Sequence, residues 1–208
     1  MSELDPQDYT FDLSGGVLCL DFANTVRERG GEQAMDRLQR FRDLISWGRQ
    51  TSVLDQRQAE ELARASARHP RAAATARQRA IRLREAIYRL FAAEAGGRQP
   101  RAEDLAALNS ALSESLPRLQ LRRRASRFEW GWLDQPQALD RILWPVARSA
   151  AELLASDELL AVRVCAAATC GWLFMDRSRN HSRRWCDMKV CGNRNKARRH
   201  YQRSRATL

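Results

Sequence analysis

Cys165, Cys170, Cys186 and Cys191 follow the pattern C-x4-C-x15-C-x4-C. Two cysteine brackets, separated by enough chain for a hairpin, suit a tetrahedral metal site: each bracket offers two thiolates, and the fold brings the brackets together. Four thiolates complete the coordination of one structural zinc and leave no position for a catalytic water. A bundle of ordinary buried cysteines is the simpler alternative, and the symmetric brackets argue against it. The thiols are expected to stay reduced, because the first residues, Met1-Ser2-Glu3-Leu4-Asp5, lack the charged and apolar regions of a secretory signal. The expected compartment is cytoplasmic, where bracketed cysteines favour metal over disulfides.

Cations crowd around these cysteines. From Asp176 to Leu208 there are eleven Lys or Arg against two Asp, a surplus of nine, so the first 175 residues share only two of the chain's net +11. Charge concentrated at one end is what a polyanion-binding surface requires. The expected phosphate contacts are Arg177, Arg179, Arg183, Arg184, Lys189, Arg194, Lys196, Arg198, Arg199 and Arg203. Gly192 is read as opening a helix that runs to Arg205, with Ala197, Tyr201 and Ser204 on its docking side. A solvated C-terminal tail is the bland reading, but the charges begin at Arg177, on both sides of the metal. Asn193 and Asn195 could read adenine edges, although capping is the simpler role for Asn193. Trp185 is expected to pack over the metal.

The elements that must hold this segment are mostly helical. Phe11, Leu13, Val17 and Cys19 alternate around Gly15-Gly16 and read as a short hairpin, with Asp21 and Asn24 satisfying backbone groups at the turn that follows. Leu38, Phe41, Leu44 and Ile45 have helical spacing. Asp55 reads as the cap of a helix ending before Pro70, and a long apolar stripe from Ala80 to Phe91 ends at Gly96-Gly97. Leu105, Leu108 and Leu112 mark another helix, stopped by Pro117. Leu119 and Leu121, then Phe128, Trp130 and Trp132, switch to a two-residue period and read as a hairpin with one buried aromatic face. Leu139 to Leu153 returns to helical spacing, with Pro145 expected to kink it. Trp172, Leu173 and Phe174 read as a strand over the metal. No linker precedes Val162, so the metal segment is expected to pack on the body. No apolar run approaches the roughly 18 residues of a membrane span.

Trp185-Cys186-Asp187-Met188 and Cys191-Gly192-Asn193-Arg194 resemble the CGNR zinc finger, as do Phe174-Met175-Asp176-Arg177-Ser178 and Arg183-Arg184-Trp185. Leu20-Asp21-Phe22-Ala23-Asn24-Thr25 resembles the opening of the ABATE-type domain that usually precedes that finger. The resemblance implies a bacterial transcription regulator with a C-terminal DNA-binding finger.

The expected fold is therefore α+β: a mainly helical body with short β-hairpins over residues 1–161, then a small treble-clef-like zinc finger over 162–208 ending in a basic helix. One structural Zn2+ per chain, DNA as partner, and a body that senses a small molecule or forms a homodimer complete the expectation. Asp21, Asn24 and Arg42 are the candidate ligand-binding groups, and no catalytic residues are assigned. Structured RNA is an alternative partner. A nuclease of the HNH type, using His181, Asn193 or His200, is the remaining alternative; it would need a histidine base beside a second, open metal site.

Overall fold

A computed structural model describes residues 10–197. Six α-helices surround one apolar core: α1 (Leu18–Ala23), α2 (Phe41–Gln50), α3 (Gln56–Arg68), α4 (Pro70–Ala95), α5 (Ala102–Ser115) and α6 (Leu143–Leu154). Three antiparallel hairpins accompany them: β1 (Val26–Arg27) with β2 (Met35–Asp36), β3 (Leu119–Arg124) with β4 (Arg127–Trp132), and β5 (Val162–Val164) with β6 (Leu173–Met175). Among the described residues no helix is long and apolar enough to cross a membrane.

Helix α4 is the spine, packed against α1, α2, α3, α5 and α6. Its Ala80, Leu83, Ile87, Leu90 and Phe91 are buried at helical spacing and meet Leu62 of α3, Leu108 of α5 and Val146 of α6. Asp55 caps α3 by accepting from the Gln58 N–H, and Gln58 bonds back to the Asp55 N–H. That reciprocal box satisfies two of the donors every helix start leaves open. Pro70 then begins α4, where its missing N–H costs nothing.

Three expectations are corrected. Residues Leu18–Ala23 form a helix, not a strand of an opening hairpin. This run is buried from Cys19 to Ala23 among α4, α6 and β6, and a short continuous apolar run has no period that separates strand from helix. Cys19 is helical and wholly buried, and burial pushes its thiol up to about 12, so it stays an un-ionised apolar group. Pro145 does not kink α6, because it is the third residue of that helix, where N–H groups lack intrahelical partners anyway. The β3–β4 hairpin forms as expected, with Leu121 opposite Trp130, but its aromatic face is not buried: Phe128 is 68% and Trp130 60% exposed.

Candidate metal centre and basic finger

The cysteines come from two short pieces of backbone. Cys165 follows β5, and Cys170 lies across a tight turn in which Gly171 adopts φ +65°, with the Gly30 backbone so near that a side chain there would crowd it. Cys186 precedes Asp187, whose carboxylate accepts from the Val190 N–H and caps a helical segment starting at Met188. Cys191 lies in its first, widened turn, where the Cys191 and Gly192 N–H groups both donate to the Asp187 carbonyl. The helical backbone continues through residue 197. The expected start at Gly192 is thus corrected to Met188, and the cap is Asp187 rather than Asn193.

All four cysteines are buried, and their sulfur atoms lie within 4.8 Å of one another. Cys186 Sγ is 3.6 Å from Cys170 Sγ and 3.7 Å from Cys191 Sγ. Zinc bonded to four tetrahedral sulfurs at about 2.3 Å requires sulfur separations of about 3.8 Å, whereas a disulfide would need about 2 Å. The donor set therefore fits one structural zinc. Hydrogen bonds from the Cys170 and Cys186 thiols hold Cys165 well below the ordinary thiol range, while donation to Cys165 raises Cys186. One thiolate is thereby favoured at once, and a bound cation displaces the remaining protons. Phe174 and Ala167 are buried against the cluster, with Trp172 and Trp185 half-buried over it, the position expected for Trp185.

Alternation along β6 ties the finger to the body. Phe174 turns toward the cysteines, while Leu173 and Met175 enter the main core with Val162 of β5. The Asn24 side chain imitates a neighbouring strand: its Nδ2 donates to the Leu173 carbonyl at 2.8 Å, and its Oδ1 accepts from the Leu173 N–H at 2.9 Å. The Trp172 indole donates to the Val26 carbonyl at 2.7 Å, the Tyr88 hydroxyl to the Gly171 carbonyl at 3.0 Å, and the Gly30 N–H to the Thr169 carbonyl at 3.1 Å. Tyr88 is steadied by the Arg29 guanidinium, 4.0 Å from its ring, and Arg29 is held in turn by Glu85. A cleft of about 190 Å³ remains between finger and body, lined by Asp12, Arg27, Glu28, Trp172 and Arg194 together with Cys170, Cys186 and Cys191.

The candidate ligand groups are not gathered at one cleft. Asp21 Oδ1 accepts from the Gly15 N–H at 2.8 Å, Asn24 is occupied by Leu173, and Arg42 lies on the outer side of α2 with half its side chain exposed. A cleft of about 230 Å³ between α4, α5 and α6 is lined instead by Arg79, Leu83, Ala111, Asp140, Leu143 and Trp144.

Burial lifts Asp21 from 3.8 to about 6, with the Gly15 N–H opposing and Asp12 adding to the shift. Between those pH values the folded chain keeps a proton that the unfolded chain releases, so stability falls as pH rises through this window. The difference is about 3 kcal/mol at neutral pH. Asp21→Asn retains an acceptor for Gly15 and carries no charge. It should raise Tm by roughly 6–12 °C at pH 8 and converge with the parent near pH 4; parallel Tm profiles would refute the assignment.

The candidate phosphate contacts separate into two groups. Arg177, Arg179, Arg184, Lys189 and Lys196 are exposed, with Arg177 3.5 Å from the exposed Glu158 and Arg184 beside the Trp185 ring. Arg183 and Arg194 are engaged within the chain. Arg183 donates to the Trp185 carbonyl at 2.8 Å and to the Cys186 carbonyl, and its guanidinium lies 4.8 Å from the Phe174 ring. Arg194 reaches Glu28 and Thr169, each at 3.3 Å. Arg198, Arg199 and Arg203 lie outside the described residues, as does His200.

Asp176 is the residue that sequence reasoning undervalued. It is fully buried, and its carboxylate accepts from the Ser178 N–H, the Ser178 hydroxyl and the Arg183 N–H. Burial alone would raise this carboxyl; the Ser178 and Arg183 bonds reverse that and hold it below the usual range. It also fixes the loop carrying Arg177, Arg179, Arg183 and Arg184, and His181 Nδ1 lies 3.0 Å from the Asp176 carbonyl. The available signal was the Asp-x-Ser spacing of an Asx turn. Asp176→Ala leaves these donors unpaired, at about 1–3 kcal/mol each where buried. Trypsin should then cut the 177–184 loop of the full chain much faster than in the parent, with Asp176→Asn intermediate; equal cleavage would show that the loop does not depend on Asp176.

Comparison with known protein families matches residues 16–157 to the ABATE family, described as "Putative stress-induced transcription regulator". The chain belongs to the ABATE family. Residues 161–204 match the CGNR zinc finger, which contains all four cysteines. The two matches follow one another in the order the resemblance implied. No curated protein matches the chain. The first description names a transcription regulator and the second a zinc finger, so together they suggest a zinc-binding regulator, and neither is an enzyme family.

Proposed function

We propose that this chain is a transcription regulator that binds duplex DNA through its CGNR finger, with residues 1–161 acting as a sensing or dimerising body and residues 162–208 as the binding module. The observation that carries this reading is the set of exposed cations on the described finger, Arg177, Arg179, Arg184, Lys189 and Lys196, joined by Arg183 and Arg194, which are exposed but bonded within the chain. Exposed like charges at this density repel one another and are relieved by phosphates. The carboxylates inside the same segment do not neutralise them, since Asp176 is consumed by its loop and Asp187 caps the helix. Zinc supplies no reaction in this reading; it holds the strand, loop and helix that present the charges. The bonds from Asn24, Val26 and Tyr88 give an effector on the body a physical route to the finger, because a ligand alters DNA affinity only by favouring one arrangement of both.

The test is titration of the zinc-loaded chain into a labelled DNA duplex at rising salt, with an RNA hairpin of equal length as competitor. Binding that weakens steeply with salt, and that RNA displaces poorly, supports the reading. Salt-insensitive binding overturns it, and preferential displacement by RNA reassigns the partner.

A further inference from the structure

The β3–β4 hairpin presents a second surface. Its base is tied to α6, where Trp132 packs 6.0 Å from Trp144, and Arg122 joins the two strands by donating to the Trp132 carbonyl. Its outer half is exposed on both faces. Register puts Leu121, Arg123, Phe128 and Trp130 on one side, with Arg123 directly across from Phe128. Leu121, Phe128 and Trp130 are 57%, 68% and 60% exposed, a clustering of large apolar groups that isolated soluble surfaces rarely carry without use. Arg122, Arg123, Arg124 and Arg127 crowd the same tip against one carboxylate, Glu129, which sits 3.6 Å from Arg124. Among the described residues Arg123 and Arg127 form no ion pair.

We propose that this hairpin binds single-stranded nucleic acid, stacking unpaired bases on Phe128 and Trp130 while Arg123 and Arg127 neutralise the adjacent phosphates. This rests on the reading of the chain as a nucleic-acid-binding regulator but assigns the body a contact of its own. Charge complementarity selects the occupant. A second copy docked on the aromatic face would oppose Arg123 to Arg123 and bring together two tips that each carry four arginines against one carboxylate, and like charges brought close are unfavourable. A polyanion meets the same arginines with opposite charge. The exposed rings then choose unpaired strands over duplex, because a duplex hides the base faces that an aromatic platform needs. Phe128 and Trp130, two residues apart on one strand, stand about 7 Å apart, which gives two stacking stations along an extended strand. Arg148, its guanidinium 5.2 Å from the Trp130 ring, steadies that indole.

The experiment compares the full-length zinc-loaded parent with Phe128→Ala/Trp130→Ala, Trp130→Phe and Arg123→Ala/Arg127→Ala, using a labelled 20-nucleotide oligothymidylate and a labelled duplex. Loss of both rings should weaken single-strand binding at least roughly 25-fold, at about five-fold or more per stacked base, while duplex affinity changes less than about three-fold. Trp130→Phe, which keeps an aromatic ring, should retain most of the single-strand binding. Removing both arginines should flatten the single-strand salt slope by roughly 1.4. Single-strand affinity that is absent in the parent or unchanged in the double-ring variant overturns the proposal. So does a parent dimer that this variant dissociates on sedimentation, or binding to anionic vesicles that it abolishes while oligothymidylate binding persists. The duplex probe reports the finger separately: if duplex binding fails and the ring-dependent single-strand binding stands, the finger reading falls and the hairpin assignment does not.

Discussion

Stripping zinc from the full chain is expected to lower the Tm of the body as well as dissolve the finger. The reason is the alternation of β6. Phe174 belongs to the metal cluster, but Leu173 and Met175, its immediate neighbours, are core residues of the body, as is Val162 on the paired strand. The small cluster around the cysteines cannot hold a strand without metal, since binding free energy in such modules is folding free energy. When the strand loosens, Val162, Leu173 and Met175 lose packing worth about 1.5–3 kcal/mol each, and the Asn24 amide loses both its partners on Leu173. At about 2–4 °C per kcal/mol for a chain of this size, the first transition should fall by 10 °C or more on chelation, and Cys170→Ser should reproduce the shift. Near-ultraviolet dichroism from Trp172 and Trp185 should vanish in the same step. A body that melts at one temperature with and without metal would show that the shared core contributes nothing. A disulfide within either bracket of the metal-loaded protein would show the metal assignment itself to be wrong.

Parts of this arrangement were legible in the residues because their causes are local. Cysteine spacing reports metal geometry directly, Asp55 and Pro70 bracket α3 by capping and ring chemistry, and the alternation of Phe128, Trp130 and Trp132 marks a strand whose aromatics share one face. Other parts depended on which surfaces meet. The Leu18–Ala23 run is apolar nearly throughout, so its period carries no choice between strand and helix; burial among three elements decides it. Alternation at the hairpin identified a face but not its destination: the body covers the base at Trp132 and sends Arg148 to the Trp130 ring, while Phe128 and most of Trp130 stay exposed. Asn24 was expected to serve backbone groups, and it does, but its partner, Leu173, lies 149 residues away. Tyr88 offered no sign of its bond to Gly171, because a helix-borne tyrosine carries the same local pattern whether its hydroxyl meets protein or water.

The largest functional effect should be the salt dependence of duplex binding. Counting every Lys and Arg of the basic segment would overstate it, because Arg183 holds the Trp185 and Cys186 carbonyls and Arg194 bridges Glu28 and Thr169, whereas Arg177 meets only the exposed Glu158. Arg177, Arg179, Arg184, Lys189 and Lys196, each releasing about 0.9 counterion per phosphate met, give a log–log slope near −4 to −5. Between 50 and 200 mM salt the affinity should then fall roughly 500-fold. A slope steeper than about −5 would assign additional phosphates to Arg198, Arg199, Arg203 or Arg205. Arg177→Ala with Lys189→Ala should flatten the slope by nearly two, without altering zinc content or melting. Arg183→Ala should behave oppositely: it keeps the slope but destabilises the finger, because the Trp185 and Cys186 carbonyls lose their donor and Phe174 its guanidinium cover. That contrast separates a cation that touches DNA from one that shapes the surface touching it. If Arg183→Ala flattened the slope while zinc retention and melting stayed unchanged, the engaged guanidinium would have to leave its carbonyls on binding, and the division drawn here between the two groups of arginines would fail.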